Sequence, residues 1–344
     1  MAPGPKDETK EITLGHEHRA RREIRISGPS MPYDPSYHWM LRVDKIRELI
    51  EAERPDVLEV HSPYFAALSA ALTPSSARGI TTFFWHSNHL DTYVRPWLVP
   101  KLGIRTTENL LAPVWRFTGA LLRRCEAVFT ASRGEFATLR GHGVNSSHCV
   151  PFGVDTKIFT PTRRSGQAPS SPLRLVGAGR LAFEKRWDVV IEAVKRVSKQ
   201  VAVEFTLVGD GPERPRLQAM AKEASNIAIA QFTSDRGELA GRFASADIYV
   251  HACPYETFGL TVAEAVACGT PVVVPNHGGA QESVAPGASE TYRALDPEDC
   301  ARAIVRLAKR HDAWSIARAH ALGVRSVYDH IQDVLAVYES CLNS

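Results

Sequence analysis

The 344-residue chain lacks several of the features that most quickly assign a protein to a class. It has no run of about 18 apolar residues, the length a bilayer-spanning helix needs. Its N-terminus, Met1-Ala2-Pro3-Gly4-Pro5-Lys6-Asp7-Glu8, has no apolar secretory stretch, which points to the cytoplasm. There is no C-x-x-C pair. The six cysteines (Cys125, Cys149, Cys253, Cys268, Cys300, Cys341) are scattered, as free core thiols in a reducing compartment would be, rather than a metal or disulfide framework. Neither sign of charge dominates: 41 Lys and Arg against 38 Asp and Glu give +3, so no concentrated basic stripe marks a nucleic-acid binder. No P-loop, no G-x-S-x-G and no D-x-D occurs. In Asp296-Pro297-Glu298, the nearest imitation of the last, Asp296 reads as the N-cap of a helix with Pro at its first position. His61, His86 and His89 have no carboxylate or cysteine at ligand spacing, which weighs against a metal site.

The composition, 44% apolar and 23% charged, supports a globular chain with a sizeable core, and about 150 residues per domain gives two domains. Short apolar runs alternate with amphipathic stretches. Strands are expected at Val57–Val60, Ile80–Trp85, Ala127–Ala131 and Cys149–Phe152, then at Leu173–Ala178, Val203–Val208, Asp247–His251 and Pro271–Pro275. These runs are continuous rather than alternating, which fits strands buried on both faces. Helical periodicity falls at His38–Glu53, Glu108–Arg124, Trp187–Val197, Pro212–Glu223, Gly237–Ala244 and Glu298–Lys309. A final helix, Val327–Leu342, carries Ile331, Val334, Leu335, Tyr338 and Leu342 on one stripe. Strand-helix alternation implies parallel sheets joined by crossovers. Thr160–Pro172 (TPTRRSGQAPSSP) is linker-like. The expected division is 1–158, 159–325 and a C-terminal helix, 326–344, packing back on the first domain. Two α/β domains of Rossmann type would face each other across a cleft, with ligands at strand C-termini.

Four turns could carry chemistry. In ETFGLTVAE, Glu256 and Glu264 stand eight residues apart across a loop that opens a helix. Gly259 lets the backbone approach a ligand without a Cβ, and the helix N-terminus suits a phosphate. Thr261-x-x-Glu264 also fits a capping box, which would leave Glu264 a purely local role, and Glu256 in a loop could equally be a solvated charge. In GAGRLAFEK, a strand ends at Gly179 and at once offers Arg180 and Lys185, two cations able to neutralise a diphosphate leaving group; the alternative is an ordinary basic turn. The same stretch fits G-x-G-x-x-A, but bulky Phe183-Glu184-Lys185 and the early position of Glu204 disfavour a dinucleotide fingerprint. In LVGDGP, Gly209, Asp210 and Gly211 form a strand-to-helix turn that could face a nucleoside, with Pro212 at the first helical position. In NHGGAQE, Gly278-Gly279 could form an anion-binding nest. His86 ends a first-domain strand and faces the presumed cleft.

Together, in order and spacing, GAGRLAFEKRWDVVIEA, LVGDGP, ETFGLTVAE and GTPVVVPNHGGAQE, with PFGVD before the linker, resemble the retaining nucleotide-sugar glycosyltransferases of family 4, which have the GT-B fold. The likeness runs from about Pro55 to the C-terminus. It implies that Arg180 and Lys185 hold the donor diphosphate, Glu264 the ribose, and Glu256 a hydroxyl of the transferred sugar. Backbone N–H groups of Phe258, Gly259 and Leu260 would contact sugar and phosphate, Gly179 and the Gly209–Gly211 turn would lie near the nucleotide, and His86 would stand beside the reacting carbon. It further implies a UDP-, GDP- or dTDP-linked mannose- or glucose-like donor, a sugar, lipid-linked sugar or small-molecule acceptor, retained configuration, and no cofactor or metal. The family's first domain opens with a strand and a glycine-rich loop. Here Met1 leads directly into APGPKDETKE, which looks like the end of a second strand, so the first domain is expected to be short by one β-α-β unit. A non-catalytic nucleotide-sugar binder, an epimerase of the same fold and a dehydrogenase are the alternatives. Val114–Arg124 mixes aromatic and basic residues, consistent either with peripheral contact to an anionic membrane or with an ordinary core helix.

Overall fold

The computed structural model describes residues 1–14, 19–31, 34–164 and 169–343. The chain opens with β1 (Ala2–Gly4), β2 (Glu8–Leu14) and β3 (Arg19–Ser27), in which β3 lies between β1 (parallel) and β2 (antiparallel). The N-terminal stretch therefore holds two strands where the end of one was expected. Asp7 makes the turn between them: its carboxylate accepts from the Ser27 N–H at 2.7 Å and pairs with Lys45. After the small pair β4 (Ser30–Met31) and β5 (Asp34–His38) comes a four-stranded parallel sheet, β6 (Val57–Val60), β7 (Ile80–Trp85), β8 (Ala127–Thr130) and β9 (Ser147–Cys149), in that order. Among the described residues it shares no ladder with the first sheet. The two sheets share a core instead, in which Ile26 packs with Ile46, Ile50, Leu58 and Val60.

The second half forms a six-stranded parallel sheet from β10 (Leu173–Ala178), β11 (Val203–Val208), β12 (Ile227–Ala230), β13 (Ile248–Val250), β14 (Val272–Pro275) and β15 (Ser289–Tyr292). Its order is β12-β11-β10-β13-β14-β15, so the direction of winding reverses between β10 and β13. Helix Trp187–Val197 closes one face. Trp187, Val190, Ile191, Val194 and Val197 are at most 2% exposed, and burying each such side chain contributes about 1.5–3 kcal/mol.

Several boundaries differ from the sequence reading. The strand expected at Cys149–Phe152 lies at Ser147–Cys149, and beyond it Phe152 stacks on the His86 ring. The helix expected from His38 begins at Val43, and that expected from Glu108 begins at Ile104. Pro212 precedes its helix, Arg214–Ala221, whose first turn holds Pro215 instead. β12 and β15 were missed: IAIA has only alternate apolar burial, and SETY is polar. Residues 165–168 of the linker lie outside the described residues, but Arg164 is anchored by a buried ion pair with Asp247 at 2.7 Å. On helix Val327–Leu342 only Val334 is buried, against Phe84, Phe129 and Val150, while Ile331, Leu335 and Leu342 stay exposed.

The halves are joined by more than the linker. Val327 donates its N–H to the Val154 carbonyl, and Val154 to that of Arg325. Glu282, from the turn after β14, accepts from the N–H groups of Arg133 (2.8 Å) and Gly134 (3.0 Å), at the start of helix Arg133–Gly141. A carboxylate there satisfies two orphan donors and meets the positive end of the helix dipole. Glu282→Ala is expected to lower urea-unfolding stability by about 1 kcal/mol and to speed amide exchange at Arg133 and Gly134. Unchanged exchange at both would contradict this.

Candidate functional site

In an open parallel sheet, the loops leaving the strands on either side of the reversal point part to form a crevice. Here those loops follow β10 and β13 and carry most of the residues singled out above. The β10 loop is fixed from behind. Trp187 Nε1 donates to the Arg180 carbonyl at 3.1 Å, Gly179 N–H to Val208 (3.0 Å) and Leu181 N–H to Asp210 (2.8 Å). This zips the β10 and β11 turns together. A Cβ on Gly209 would stand 2.0 Å from the Gly179 carbonyl oxygen, so this glycine allows loop-to-loop contact. Asp210 is exposed beside it, with Gly211 donating to its carboxylate at 2.8 Å.

Lys185 reaches from the β10 loop across the crevice, its Nζ donating to Glu256 Oε1 at 2.5 Å. Their side chains are 24% and 21% exposed. Burial alone would raise the Glu256 pKa, but the field of Lys185 and its hydrogen bond hold it below the usual range. Lys185 is correspondingly held above its own: burial opposes its charge and Glu256 outweighs that. Behind the pair, His251 is 2% exposed and neither ring nitrogen has a hydrogen-bond partner; Nε2 stands 3.8 Å from Glu256 Oε1. Burial pushes His251 down to about 4, leaving it neutral at pH 7.

Arg180 pairs with the buried carboxylate of Glu184, and its guanidinium lies 5.1 Å from the centre of the Tyr37 ring. It also lines a cavity of about 370 Å³ with Gly179, Asp210, Phe232, Arg236 and Thr261. Arg236 carries Glu264 there as an ion pair. Glu264 is 1% exposed, its Oε2 has no hydrogen-bond partner, and burial raises its pKa despite Arg236. The capping box is not formed. Helix Leu260–Ala267 has Gly259 at its N-cap with no side-chain bond, and Thr261 Oγ1 accepts from the Tyr249 hydroxyl at 2.8 Å instead.

Two glycine readings change. Gly259 has φ +83°, and its missing Cβ leaves room for the Ala280 methyl, which would lie 2.8 Å away, not for a ligand. The Gly278-Gly279 nest is also occupied, since Gly279 N–H donates to the Glu256 carbonyl at 2.6 Å. Phe258 is buried with its ring edge-on to Phe152 at 5.4 Å, and Leu260 stays exposed at the start of its helix.

From the opposing sheet, His86 meets this segment: its carbonyl accepts from Thr257 Oγ1 at 2.7 Å. Its ring stacks on Phe84 and Phe152. Glu59 accepts from His61 Nε2 at 2.5 Å, and His61 Nδ1 contacts His86 Nε2. A carboxylate only accepts, so His61 Nε2 carries a proton, and the His61 Nδ1–His86 Nε2 contact holds one more between the two rings. Removal of the ring from water, then the neighbouring His61, lowers the His86 pKa to about 4.

The structure thus brings together Lys185, Glu256, Phe258 and His86 at the crevice, and Gly179, Arg180, Asp210 and Glu264 around the adjoining cavity. Arg236, Glu184, His251 and the Glu59–His61 chain were missed as site residues. Arg236 meets Glu264 across 28 residues and His61 meets His86 across 25, while Glu184 and His251 act within five residues in turns that no local pattern marks.

Residues 2–158 match the family described as Glycosyltransferase Family 4, and residues 172–310 that described as Glycosyl transferases group 1. A GDP-mannose-dependent alpha-(1-6)-phosphatidylinositol dimannoside mannosyltransferase of Mycobacterium tuberculosis is 31% identical over 90% of this chain and 80% of its own length. A GDP-mannose-dependent alpha-mannosyltransferase of Corynebacterium glutamicum is 29% identical over 81% of this chain and 64% of its own. Among solved structures, sucrose-phosphate synthase of Thermosynechococcus elongatus superposes with a TM-score of 0.70 at 20% identity, covering 92% of this chain and 83% of its own. The Anabaena HepE protein in complex with UDP and glucose gives 0.67 at 18%, covering 92% and 86%. The two parallel sheets facing one crevice are a GT-B fold, and the chain belongs to the family 4 glycosyltransferases.

Proposed function

We propose that this glycosyltransferase moves a mannose- or glucose-like residue from a nucleotide diphosphate donor to an acceptor hydroxyl, with retention of configuration and without a metal. The observation that carries the reading is the Lys185–Glu256 pair spanning the reversal point beside the Arg180-lined cavity. Residues 1–158 would form the acceptor side, 159–325 the donor side, and 326–344 the helix returning to the first.

In this reading the donor diphosphate draws Lys185 and Arg180 toward its oxygens. The carboxylate of Glu256, released from Lys185, accepts from a sugar hydroxyl, and Glu264 from the ribose. The first N–H groups of helix Leu260–Ala267, with those of Phe258 and Gly259, face anionic oxygen. The base would occupy the cavity bounded by Phe232 and Asp210. The bond between the anomeric carbon and the β-phosphate oxygen breaks, and a bond from the acceptor oxygen to the same face of that carbon forms. The acceptor proton goes to the departing phosphate. Two fixed cations stabilise the charge developing on that phosphate. GDP-mannose is the donor favoured by the names of the relatives, and a lipid-linked sugar is one acceptor class they suggest.

Transfer from GDP-mannose to a panel of mannosyl acceptors tests the reading. Lys185→Ala and Glu256→Ala are each expected to reduce kcat/KM by about 10²- to 10³-fold. Turnover at wild-type rates in either would overturn the assignment. Each should also cost about 1–3 kcal/mol in urea unfolding, because a partly buried charge loses its partner, and Lys185→Met/Glu256→Gln together should cost less than the sum.

The pH profile provides a separate check. Protonating His86 requires the pH to fall through about 4, below its ordinary 6.5. It therefore stays neutral from pH 8 to pH 5, and kcat/KM should show no acid limb near 6.5 that His86→Asn removes. Such a limb would show that His86 is charged in the working enzyme.

A further inference from the structure

His251 follows β13 directly and heads the loop that carries Glu256. Its backbone is clamped on both sides. The N–H donates to the Val273 carbonyl at 2.8 Å, and the carbonyl accepts from the Tyr292 hydroxyl at 2.9 Å. The ring is clamped too, with Trp187 edge-on at 6.4 Å and Tyr249 stacked at 6.5 Å. Trp187 is in turn tied to the Arg180 carbonyl. The imidazole is therefore both buried and fixed in place.

Buried polar atoms are ordinarily hydrogen-bonded, and leaving one without a partner is destabilising. Both ring nitrogens of His251 are in that position. The Cys253 backbone lies beside the ring without making a bond of proper geometry. Nε2 faces Glu256 Oε1 at 3.8 Å, about 1 Å beyond an ordinary N–H···O distance. Lys185 Nζ holds that same oxygen at 2.5 Å. Two donors thus converge on one carboxylate oxygen, one bonded and one just out of reach. The Glu256 backbone is anchored, its carbonyl accepting from the Gly279 N–H at 2.6 Å, so any travel belongs to the side chain.

On the donor reading proposed above, a diphosphate draws Lys185 away and would strand the Glu256 charge in a part-buried crevice, which is costly. We infer that His251 is a positioning residue that then takes Glu256 over. The carboxylate moves about 1 Å onto His251 Nε2–H, stays ionised there and keeps its other oxygen for the sugar. A carboxylate only accepts, so the hydrogen remains on Nε2 and no proton is transferred. His251 touches neither sugar nor phosphate. The orphaned ring is explained as the second of two alternating partners: Lys185 neutralises Glu256 in the free protein, and His251 supports it once nucleotide is bound.

Calorimetric titration of the full chain with GDP, and in parallel with UDP and dTDP, tests this without turnover. His251→Phe removes the N–H and is expected to weaken binding of the preferred nucleotide about 10- to 100-fold. His251→Gln, which can place an N–H where Nε2 stands, should bind within about threefold of wild type. In a Glu256→Gln background no charge is stranded, so adding His251→Phe should change affinity less than about twofold. The thermal midpoint of nucleotide-free His251→Phe should be no lower than that of wild type, because the imidazole bonds to nothing there. His251→Leu repeats the titrations should the phenyl ring overfill the space. Wild-type nucleotide affinity in both apolar variants, an equal loss in His251→Gln, or the same loss in the Glu256→Gln background would overturn the role of His251 while leaving the donor reading intact. A wild-type chain that binds none of the three nucleotides would overturn the donor reading and this role with it.

Discussion

Lys185 and Glu256 lie 71 residues apart in sequence and 2.5 Å apart in space, and the rest of the site is organised around that contact. The pair exists because the second sheet reverses its winding between β10 and β13, so the loops leaving those neighbouring strands open away from each other. A lysine on one loop can meet a carboxylate on the other only across the crevice. Partial burial strengthens their attraction and makes either group costly to leave alone. The same pattern recurs nearby, where Arg180 is held by Glu184 and Arg236 by Glu264. Each of these three cations thus has a carboxylate partner, and an anion entering there would compete with carboxylates for cations already fixed in place. On the donor reading proposed above, a site built this way would be preorganised for phosphate and neutralised without it.

The opposing sheet is held to this apparatus by few but directional contacts. Thr257 donates to the His86 carbonyl, Phe152 packs edge-on to Phe258, and Glu282 caps a helix on the far side. These contacts place the His86 ring, in contact with the Glu59-bound His61, on the rim of the crevice. They run through loops and through an apolar cluster that Ala131, Phe152 and Val154 share with Phe258, Val262 and Ala280.

Much of this was legible in the sequence where local chemistry and global fold agree. Ile80–Trp85, Leu173–Ala178 and Val203–Val208 form strands with those bounds; the first two are buried along almost their whole length, as parallel strands covered on both faces are, while Glu204 leaves the third partly exposed. The periodicity of Trp187–Val197 was likewise unambiguous. What the sequence left unreadable depends on distant partners. Thr261-x-x-Glu264 has the spacing of a capping box, yet the Tyr249 hydroxyl takes Thr261 and Arg236 takes Glu264. Gly259 reads as an opening for a ligand until Ala280 is seen to need the space. The apolar stripe of the last helix predicts full burial, but only Val334 finds the first sheet. SETY joins the sheet as an edge strand although its composition is that of a loop.

The most direct measurement is a crystal structure of the chain grown with GDP. The account predicts the diphosphate between Arg180 and Lys185, the Lys185 Nζ drawn away from Glu256 toward a phosphate oxygen, and the base in the cavity bounded by Phe232 and Asp210. A nucleotide bound elsewhere, with the Lys185–Glu256 pair unbroken, would contradict it.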